Sequence, residues 1–319
     1  MVTYLNYKDI IDLGFNWCKC INVIKNTCFL LADNNYDQPI KPYLHFNNTS
    51  NRIIAMPAFV GGESACAGIK WIASFPDNVK NSKPRANSIT ILNSVNTGEP
   101  YCIINTSLIS IIRTVAVSGL MIQSFLDRFD KCKVNIGIIG LGPIGQYHIK
   151  MVQEMFQDVI NEINVFDLDN TKTVKTSGKI NYCQKWEDVY NDSDILITCT
   201  VSTFRYIDIK PKSGSLHLNI SLRDYKENMY EYFKETIIVD DWDEVCRKNT
   251  DIEMFSIKNG LKKSSTFSIL EIVCEEKLKS FDDTKPIFFN PMGMAVFDIA
   301  MANYYYFLSI EMEKGLILE

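Results

Sequence analysis

The segment VNIGIIGLGPIG, Val134 to Gly145, decides the fold of the second half of the chain. An apolar run rich in β-branched residues leads directly into a glycine-rich turn. The turn is followed by QYHIKMVQEMFQDV, which has the composition of a helix. Gly140, Gly142 and Gly145 form the pattern G-x-G-x-x-G, which is a weak signal alone but a strong one between a strand and a helix. The segment therefore predicts a dinucleotide-binding Rossmann fold.

Each glycine of this turn has its own physical role. Gly140 permits the tight turn, Gly142 lets the backbone approach a pyrophosphate, and Gly145 allows the helix to pack closely on the strand. Pro143 and Ile144 begin the helix, whose N-terminus favours phosphate groups. These five residues are the predicted phosphate-binding part of a cofactor site. A strand–helix turn that binds no ligand is the alternative interpretation.

The strand EINVFD ends in Asp167, where an acidic residue accepts hydrogen bonds from the adenosine ribose. Its charge would repel a 2′-phosphate, so the predicted cofactor is NAD rather than NADP. Further along, Thr200 and Ser202 lie at the end of the strand DILITCT and just beyond it. Carboxyl ends of parallel strands line the cofactor crevice, so both residues are candidates for contact with the ribose or nicotinamide. Ordinary polarity at a strand end explains them equally well.

Strands and helices alternate along the rest of this half, which indicates a parallel sheet covered on both faces. The further strand-like runs are INYC, DILITCT, LHLNIS, TIIVDD and KPIFFN. The predicted fold class is α/β, with a Rossmann-type doubly wound parallel sheet plus a mixed α+β domain. The mixed domain, for substrate binding and dimerisation, comprises residues 1–118 and is completed by a C-terminal helix within 291–319. The NAD-binding domain comprises residues 119–290.

The first third of the chain contains mixed strands and helices. RIIAMP (Arg52–Pro57), SITILN (Ser88–Asn93) and YCIIN are predicted strands. A helix is predicted from about Ser107 towards Phe129, and a second one from Met292 to Leu316.

Composition and charge exclude several classes of protein. The chain has 319 residues, 46% hydrophobic and 22% charged, with a net charge of -5. This argues against a general binder of nucleic acid or anionic membranes. The apolar run from Ile103 to Leu126 approaches the length of a membrane span, but its polar residues favour a buried helix. No signal peptide is recognisable at the N-terminus MVTYLNYKDI.

The cysteines and histidines do not predict a metal site. The ten cysteines are scattered along the chain, and its three histidines are far apart. Cys18, Cys20 and Cys28 lack the paired spacing and the neighbouring histidine of a zinc site. We therefore expect reduced thiols in a cytoplasmic protein.

The segment GIKWIASF, Gly68 to Phe75, places Lys70 in an otherwise apolar run. A lysine stem often lies along apolar surface with its ammonium in water. The alternative is a cation held at the wall of a pocket. The apolar residues of the segment are predicted to be core: Ile69, Trp71, Ile72 and Phe75.

Several longer strings resemble one known family, the ornithine cyclodeaminase/μ-crystallin family. They are IIRTVAVS, the GLGPIG turn, LHLNISLRD and NPMGMAVFD. A further set resembles the branch that oxidises N-(2-amino-2-carboxyethyl)-L-glutamate: QPIKPYL, NRIIAMP, AGIKWIAS, VDDW and NPMGMA. The resemblance implies a homodimer formed through the first domain. It also implies an NAD-dependent oxidation to an imine, which water hydrolyses to 2-oxoglutarate and L-2,3-diaminopropionate for a siderophore or a peptide natural product.

The resemblance also implies roles for individual residues. Lys70 matches the family's substrate lysine, Arg113 its carboxylate-binding arginine, and Asp224 its catalytic aspartate. Around Asp224 the chain departs from cyclodeaminases, which commonly have a glycine pair before it and Cys-Pro-Gly after it. Here Leu222-Arg223 precede it and Tyr225-Lys226 follow. The departure puts ornithine cyclisation in doubt and leaves dehydrogenation intact.

A substrate with three carboxylates requires a cationic pocket. Arg113, in the apolar helix, suits a bidentate contact with a carboxylate, and Arg52 and Lys41 are further candidates. Surface ion pairs are the alternative for these three. Asp224 follows a sheet strand, where a carboxylate is placed to take a proton from the amine and then activate water. Its alternative is a turn aspartate that caps a helix.

Two other functions remain open at this point. An ornithine cyclodeaminase, or a related amino-acid or imine dehydrogenase, would use the same cofactor, and a cyclodeaminase would accumulate no NADH. A non-catalytic NAD(P)H-dependent binding protein similar to μ-crystallin is the third hypothesis. The combination of Lys70, Arg113 and Asp224 argues against a protein without turnover.

Overall fold

A computed structural model describes residues 1–48, 50–128, 133–175 and 178–319. The chain divides into two compact units. The first unit comprises Met1–Ala116 and Met294–Glu319, and the second comprises Val117–Gly293. The chain thus leaves the first unit once and returns to it for its last segment.

The first unit is built on a mixed sheet. Its strands are β1 (Val2–Asn6), β2 (Tyr36–Asp37), β3 (Tyr43–His45), β4 (Arg52–Val60), β5 (Cys66–Ser74), β6 (Ala86–Asn93), β7 (Pro100–Asn105) and, at the end of the chain, β16 (Leu316–Leu318). The order across the sheet is β16-β1-β7-β6-β5-β4-β2, with β3 also paired to β4. The pairs are antiparallel except β1 with β7.

Helices cover one face of this sheet. They are α1 (Tyr7–Leu13), α2 (Trp17–Ala32), the start of α3 (Leu108–Arg128) and α10 (Ala295–Glu311). Strand β5 pairs Lys70 with Met56 of β4 and Thr90 of β6, and all three side chains are buried. Because side chains alternate along a strand, Ile69 and Trp71 lie on the opposite face.

The prediction that all the apolar neighbours of Lys70 are core residues is wrong. Trp71 is 38% exposed in this chain, and Ile69, Ile72 and Phe75 are only half-buried. The physical reason is that α10 packs on the face that carries Lys70, where the side chain of Ile299 approaches Gly68. The opposite face of the sheet is apolar but remains accessible.

The second unit contains an entirely parallel sheet, as predicted. Its strands are β8 (Val134–Ile139), β9 (Ile160–Phe166), β10 (Asn181–Tyr182), β11 (Ile195–Thr198), β12 (Leu216–Asn219), β13 (Ile237–Val239), β14 (Phe267–Ser268) and β15 (Ile287–Asn290). Their order is β10-β9-β8-β11-β12-β15-β13-β14. Every pair is parallel, which confirms the Rossmann-type fold class.

The carboxyl ends of three neighbouring strands are in register. Thr198, the last residue of β11, pairs with Ile139 of β8 on one side and with Asn219 of β12 on the other. The loops that follow these strands therefore start at the same edge of the sheet. They begin at Gly140, Cys199 and Ile220.

Helices and an aromatic cluster complete the second unit. The helices are the remainder of α3, α4 (Pro143–Phe156), α5 (Trp186–Asp192), α6 (Tyr230–Phe233), α7 (Trp242–Val245), α8 (Asp251–Asn259) and α9 (Ile269–Cys274). The rings of Tyr225, Phe233 and Phe288 pack with centroids 4.5–5.9 Å apart. Because Tyr225 belongs to the loop after β12, this buried cluster anchors that loop in the core of the unit.

The helix predicted from about Ser107 towards Phe129 is present as α3. In the structure α3 spans Leu108–Arg128, and Phe129 lies outside the described residues. In the part of the chain that the structure describes, α3 is also the one helix long and apolar enough to cross a membrane, and most of it is buried within the protein.

The C-terminal helix is shorter than predicted. Instead of Met292–Leu316 it spans Ala295–Glu311 and is followed by β16. Positive φ angles at Gly293 (91°), just before the helix, and at Glu313 (53°), just after it, explain both ends, because helical residues require negative φ.

Candidate active site

The glycine-rich turn between β8 and α4 has the close contacts that its sequence implies. Gly140 has φ 102°, and a Cβ there would lie 2.6 Å from the carbonyl oxygen of Cys199. A Cβ on Gly145 would lie 2.0 Å from the carbonyl oxygen of Gly140. A Cβ on Gly142 would instead meet nothing within 4 Å. The turn is therefore tightly packed on the protein side and open at Gly142, the N-cap of the helix that begins with Pro143 and Ile144.

Asp167 lies directly after β9 and contacts this turn. Its carboxylate accepts hydrogen bonds from the backbone N–H of Leu141 (2.7 Å) and of Asp169 (2.9 Å). The ammonium of Lys172 lies 3.0 Å from both carboxylate oxygens. Burial raises the pKa of Asp167, but the two N–H groups and Lys172 outweigh burial and hold the pKa below its ordinary value. Asp167 is thus an anion at neutral pH.

Asp224 is fully buried in the loop after β12. Its carboxylate accepts hydrogen bonds from the hydroxyl of Thr200 (2.6 Å) and from that of Ser221. It therefore pairs with side chains of two strand-end loops and does not cap a helix. Burial raises its pKa, and the hydroxyls of Ser221 and Thr200 only partly offset that rise. A raised pKa makes the carboxylate a stronger base and brings its pKa closer to the operating pH, which suits a group that must both take up and return a proton.

Ser202 does not reach Asp224. Its N–H donates to the hydroxyl oxygen of Thr200 (3.3 Å), and its own hydroxyl donates to the carbonyl oxygen of Phe204 (2.5 Å). Of the two polar residues predicted at this strand end, Thr200 contacts the buried aspartate and Ser202 shapes the loop that follows.

A second group of charged residues lies in the first unit and centres on Asp298 of α10. The ammonium of Lys70 lies 2.6 Å from one carboxylate oxygen of Asp298, and Nε of Arg113 lies 3.0 Å from the other. Lys70 is 2% exposed and Asp298 is fully buried. Lys70 is therefore a buried cation in an ion pair and does not extend into water.

Burial and the neighbouring charges together set the pKa values of Lys70 and Asp298. Burial lowers the pKa of Lys70 to about 7, and the neighbouring charges of Arg113 and Lys41 act in the same direction against the attraction of Asp298. Burial raises the pKa of Asp298, but the charges of Arg113 and Lys70 hold it below its ordinary value. Lys41 is also buried and lies close enough to lower the pKa of Lys70. Two buried cations, Lys70 and Arg113, therefore share the carboxylate of Asp298.

Arg52 lies further along the same sheet. It begins β4 and is four residues from Met56, the residue that pairs with Lys70. At about 3.3 Å per residue this separates their backbones by roughly 13 Å on one face of the sheet. Nε of Arg52 is buried and has no hydrogen-bond partner. It is therefore a donor free to bind an acceptor from outside the chain.

Sequence reasoning missed Asp298 and Ser221 as site residues. Both belong to strings that carry the resemblance to the family, NPMGMAVFD and LHLNISLRD. A signal was available for Asp298, because it is the one charged residue between Asn290 and Ala302 and a buried lysine needs a buried anion.

No metal centre is visible in the ranges 1–48, 50–128, 133–175 and 178–319, where no group of three or more His, Cys, Asp or Glu side chains is placed to hold a metal ion. Cys20 and Cys28 are buried and Cys18 is exposed, all as free thiols. Cys132 lies outside the described residues.

Known proteins resemble this chain over nearly its whole length. The chain is 31% identical over 95% of its length to N-((2S)-2-amino-2-carboxyethyl)-L-glutamate dehydrogenase of Staphylococcus aureus, of which 94% is covered. Its fold is similar to that of Thermococcus litoralis Delta(1)-pyrroline-2-carboxylate reductase, solved with NADH and L-proline, with a TM-score of 0.87, 19% identity, and 99% and 100% of the two chains covered.

An archaeal alanine dehydrogenase, solved as a dimer with bound NAD, has a TM-score of 0.83 and 21% identity, with 100% of this chain and 99% of that chain covered. The model of the ornithine cyclodeaminase/mu-crystallin family matches residues 7–308. Since this match spans nearly the whole chain, the protein belongs to the ornithine cyclodeaminase/mu-crystallin family.

Proposed function

We propose that this protein oxidises N-(2-amino-2-carboxyethyl)-L-glutamate with NAD and hydrolyses the product to 2-oxoglutarate and L-2,3-diaminopropionate. At the coarser level it is an NAD-dependent oxidoreductase that acts on the CH–NH bond of an amino acid. The observation that carries the finer proposal is the excess of buried positive charge where Lys70 and Arg113 share one carboxylate, Asp298. Such an excess is costly unless an anionic ligand with more than one carboxylate balances it.

The residues of the second unit fit NAD. The open side of Gly142 leaves room for a pyrophosphate at the start of α4, where backbone N–H groups favour anions. The Asp167 carboxylate beside Leu141 suits the hydroxyls of the adenosine ribose. When bound, NAD supplies the hydride acceptor for the substrate. The residues of the chain bind and orient both molecules and move the protons.

Asp224 is the proposed acid–base group. As hydride leaves the glutamate α-carbon, its carboxylate takes the proton of the secondary amine, and a carbon–nitrogen double bond forms. In the second half the carboxylic acid first returns this proton to the imine nitrogen. The carboxylate then takes a proton from the attacking water and passes it to the leaving amine as the carbon–nitrogen bond breaks. The proton of the remaining hydroxyl is taken up as the carbonyl forms and is released to solvent. Thr200 and Ser221 hold the carboxylate in place through these transfers. One buried carboxyl with a raised pKa serves all these steps.

Lys70 and Arg113 are the proposed carboxylate-binding pair, with Lys41 beside them. Arg113 offers the fork of donors that matches a carboxylate, and its Nε contact with Asp298 leaves the far end of the guanidinium to face a ligand. The pKa of Lys70, about 7, lets it act as a cation or as a proton donor at neutral pH. The unpartnered Nε of Arg52 is a candidate for a further carboxylate. Four cationic side chains suit a substrate with three carboxylates.

The apolar face of the first unit's sheet is the proposed dimer interface. Ala55 pairs with Trp71, and Pro57 pairs with Ile69, on the face opposite Lys70. These side chains are half-buried or exposed in the single chain. A contiguous apolar face of this kind commonly marks a protein–protein contact. We therefore propose a homodimer formed through this face. We also propose that the enzyme acts in the cytoplasm and that its product diaminopropionate enters a siderophore or a peptide natural product.

The reaction itself is tested with purified protein, NAD and a panel of N-substituted glutamates. We expect N-(2-amino-2-carboxyethyl)-L-glutamate to give net NADH by absorbance, with 2-oxoglutarate and diaminopropionate identified by mass. Asp224→Asn should lower kcat by roughly 10²–10⁴, the usual contribution of acid–base catalysis, and leave NADH binding intact. The matched control is Asp208→Asn, an exposed aspartate paired with Lys226, which should stay active. Conversion of ornithine to proline without net NADH would contradict the proposal.

The choice of cofactor depends on Asp167. The wild type should bind NADH more tightly than NADPH, because the carboxylate repels a 2′-phosphate. Asp167→Asn should reduce that preference, mainly by weakening NADH binding. Asp169→Asn is the control, since Asp169 is an exposed aspartate of the same loop. Titration of protein fluorescence with both nucleotides measures the four affinities. Equal affinity of the wild type for both nucleotides would remove Asp167 from the ribose site.

The pKa of Lys70 predicts a pH dependence for carboxylate binding. Because the pKa of Lys70 is lowered to about 7, its side chain is a charged ammonium below that pH and loses its proton above it. A bound dicarboxylate raises the pKa again, so the affinity for 2-oxoglutarate should fall as pH rises from about 6 to about 9. Lys70→Met should bind weakly throughout and lose most of this dependence. Calorimetry measures both proteins, with Lys80→Met, an exposed lysine of the first unit, as control. Unchanged affinity in Lys70→Met would contradict the assignment.

The dimer proposal predicts that a charge at Trp71 separates the subunits. Trp71→Glu would bury a carboxylate in the apolar interface, so the protein should sediment as a folded monomer. Ile257→Glu, on the exposed side of α8 in the second unit, should remain a dimer. Sedimentation velocity with circular dichroism distinguishes dissociation from unfolding. A dimeric Trp71→Glu protein would place the interface elsewhere.

A further inference from the structure

The loop that presents Asp224 contains a conformation that its sequence does not favour. Leu222 has φ 65°, in the left-handed region where a branched side chain is disfavoured and glycine is usual. Cyclodeaminases commonly have a glycine pair at this place, and this chain has leucine and arginine. Other parts of the protein must therefore hold the loop in shape.

Hydrogen bonds hold Leu222 on both sides. Its N–H donates to the side-chain oxygen of Asn219 (3.0 Å). Its carbonyl oxygen accepts a hydrogen bond from the N–H of Asp251 (2.8 Å), the first residue of α8. The strained residue is thus bonded to the end of its own strand and to the start of a helix distant in sequence.

The carboxylate of Asp251 holds the rest of the loop. One of its oxygens accepts hydrogen bonds from the backbone N–H of Asp224 (3.0 Å), the backbone N–H of Tyr225 (3.1 Å) and the side-chain amide of Asn219 (2.9 Å). Asp251 is fully buried. A single buried carboxylate therefore holds the backbone of Asp224 and of the residue after it.

Arg205 keeps this carboxylate charged and in place. Its Nε lies 2.6 Å from the second oxygen of Asp251. Its terminal nitrogen also donates to the backbone oxygens of Asn249 (2.8 Å) and Thr250 (3.0 Å), which precede α8. Burial raises the pKa of Asp251 to about 6, and Arg205 is the main group that opposes this rise. Without Arg205 the carboxyl would take up a proton near neutral pH and lose acceptor strength.

We propose that Asp251, held by Arg205, is a positioning residue for the reaction, because it fixes the backbone of the Asp224 loop in the absence of the usual glycines. This inference rests on the acid–base role of Asp224 in the proposed function. Asp251 touches neither substrate nor cofactor and acts through Asp224. Loss of its carboxylate allows the loop to relax at Leu222 and moves Asp224 away from the hydroxyls of Thr200 and Ser221.

The first test is a double-mutant cycle on kcat. Asp251→Asn should lower kcat by about tenfold to a hundredfold, the usual cost of a displacement of about 1 Å at a reacting group. NADH binding and the KM for NAD should stay within about threefold of wild type, since the glycine-rich turn is untouched. The Asp224→Asn/Asp251→Asn double variant should be no slower than Asp224→Asn alone, because Asp251 acts only through Asp224.

The matched control is Glu253→Gln. Glu253 lies in the same first turn of α8 and accepts the N–H of Asn249, so it shares the helix but not the Asp224 loop. It should keep wild-type kcat. Arg205→Gln is the second variant, needed if Asp251→Asn does not fold. Arg205→Gln leaves Asp251 in place without its cation, so kcat should fall less than in Asp251→Asn. In the Asp224→Asn background, Arg205→Gln should cause no further loss of kcat.

The pH profile gives a readout that simple destabilisation would not change. When Asp224 loses its hydroxyl donors its pKa rises, so the acidic limb of kcat/KM should move to higher pH in Asp251→Asn. Among the other groups near Asp224, Arg223 stays charged, and burial raises the pKa of Cys199, Tyr206 and Tyr225, which keeps them neutral. These groups therefore do not titrate within the limb. Asp251 itself, with a pKa raised to about 6, titrates in this range in the wild type, so the limb of Asp251→Asn reports Asp224 without that contribution.

The outcomes distinguish the acid–base role of Asp224 from the positioning role of Asp251. Full activity of Asp224→Asn removes Asp224 from the reaction and contradicts the proposed function itself. If Asp224→Asn is inactive but Asp251→Asn and Arg205→Gln keep wild-type kcat and pH profile, only the positioning role is overturned. The positioning role is also overturned if the losses of kcat multiply in the double variants while the acidic limb of the pH profile does not move. Such a result indicates general damage to the fold.

Discussion

The in-register pairing of β8, β11 and β12 is the constraint on which the second unit depends. Backbone hydrogen bonds align Ile139, Thr198 and Asn219, so the three following loops start at one edge of the sheet. The first of these loops is the glycine-rich turn, the second contains Thr200, and the third contains Asp224. A shift of one residue in any strand would turn its side chains to the other face and separate these groups. Backbone geometry therefore sets the chemistry available at this edge.

Both groups of charged residues depend on burial together with a dedicated partner. In the first unit the carboxylate of Asp298 stabilises two buried cations, Lys70 and Arg113. In the second unit the cation Arg205 stabilises the buried carboxylate of Asp251. Breaking such a pair leaves an uncompensated charge. In other proteins, replacement of buried ion pairs by well-packed apolar residues is often neutral or stabilising. Their retention in this chain is understandable if the charges bind a polyanionic ligand and hold an acid–base group.

The fold was largely predictable because its signals are local. The alternation of apolar runs with helical stretches indicated the parallel sheet, and G-x-G-x-x-G between strand and helix indicated the dinucleotide site. Errors arose where local pattern was insufficient. Trp71 is a residue type common in cores but lies on the accessible face of its sheet. The last helix ends early because Glu313 adopts a positive φ. Which face of a strand is covered depends on helices elsewhere in the chain.

The site shows the same division. The sequence by itself determined the residue types that carry chemistry, the glycine-rich turn with Asp167, and the resemblance that singled out Lys70, Arg113 and Asp224. Only the tertiary structure decided their partners, because Asp298 and Asp251 reach Lys70 and the Asp224 loop from distant parts of the chain. It also decided the protonation of Lys70 and Asp224, since desolvation depends on everything packed around a group. A sequence specifies which groups are present, whereas their environment depends on long-range packing that no local pattern records.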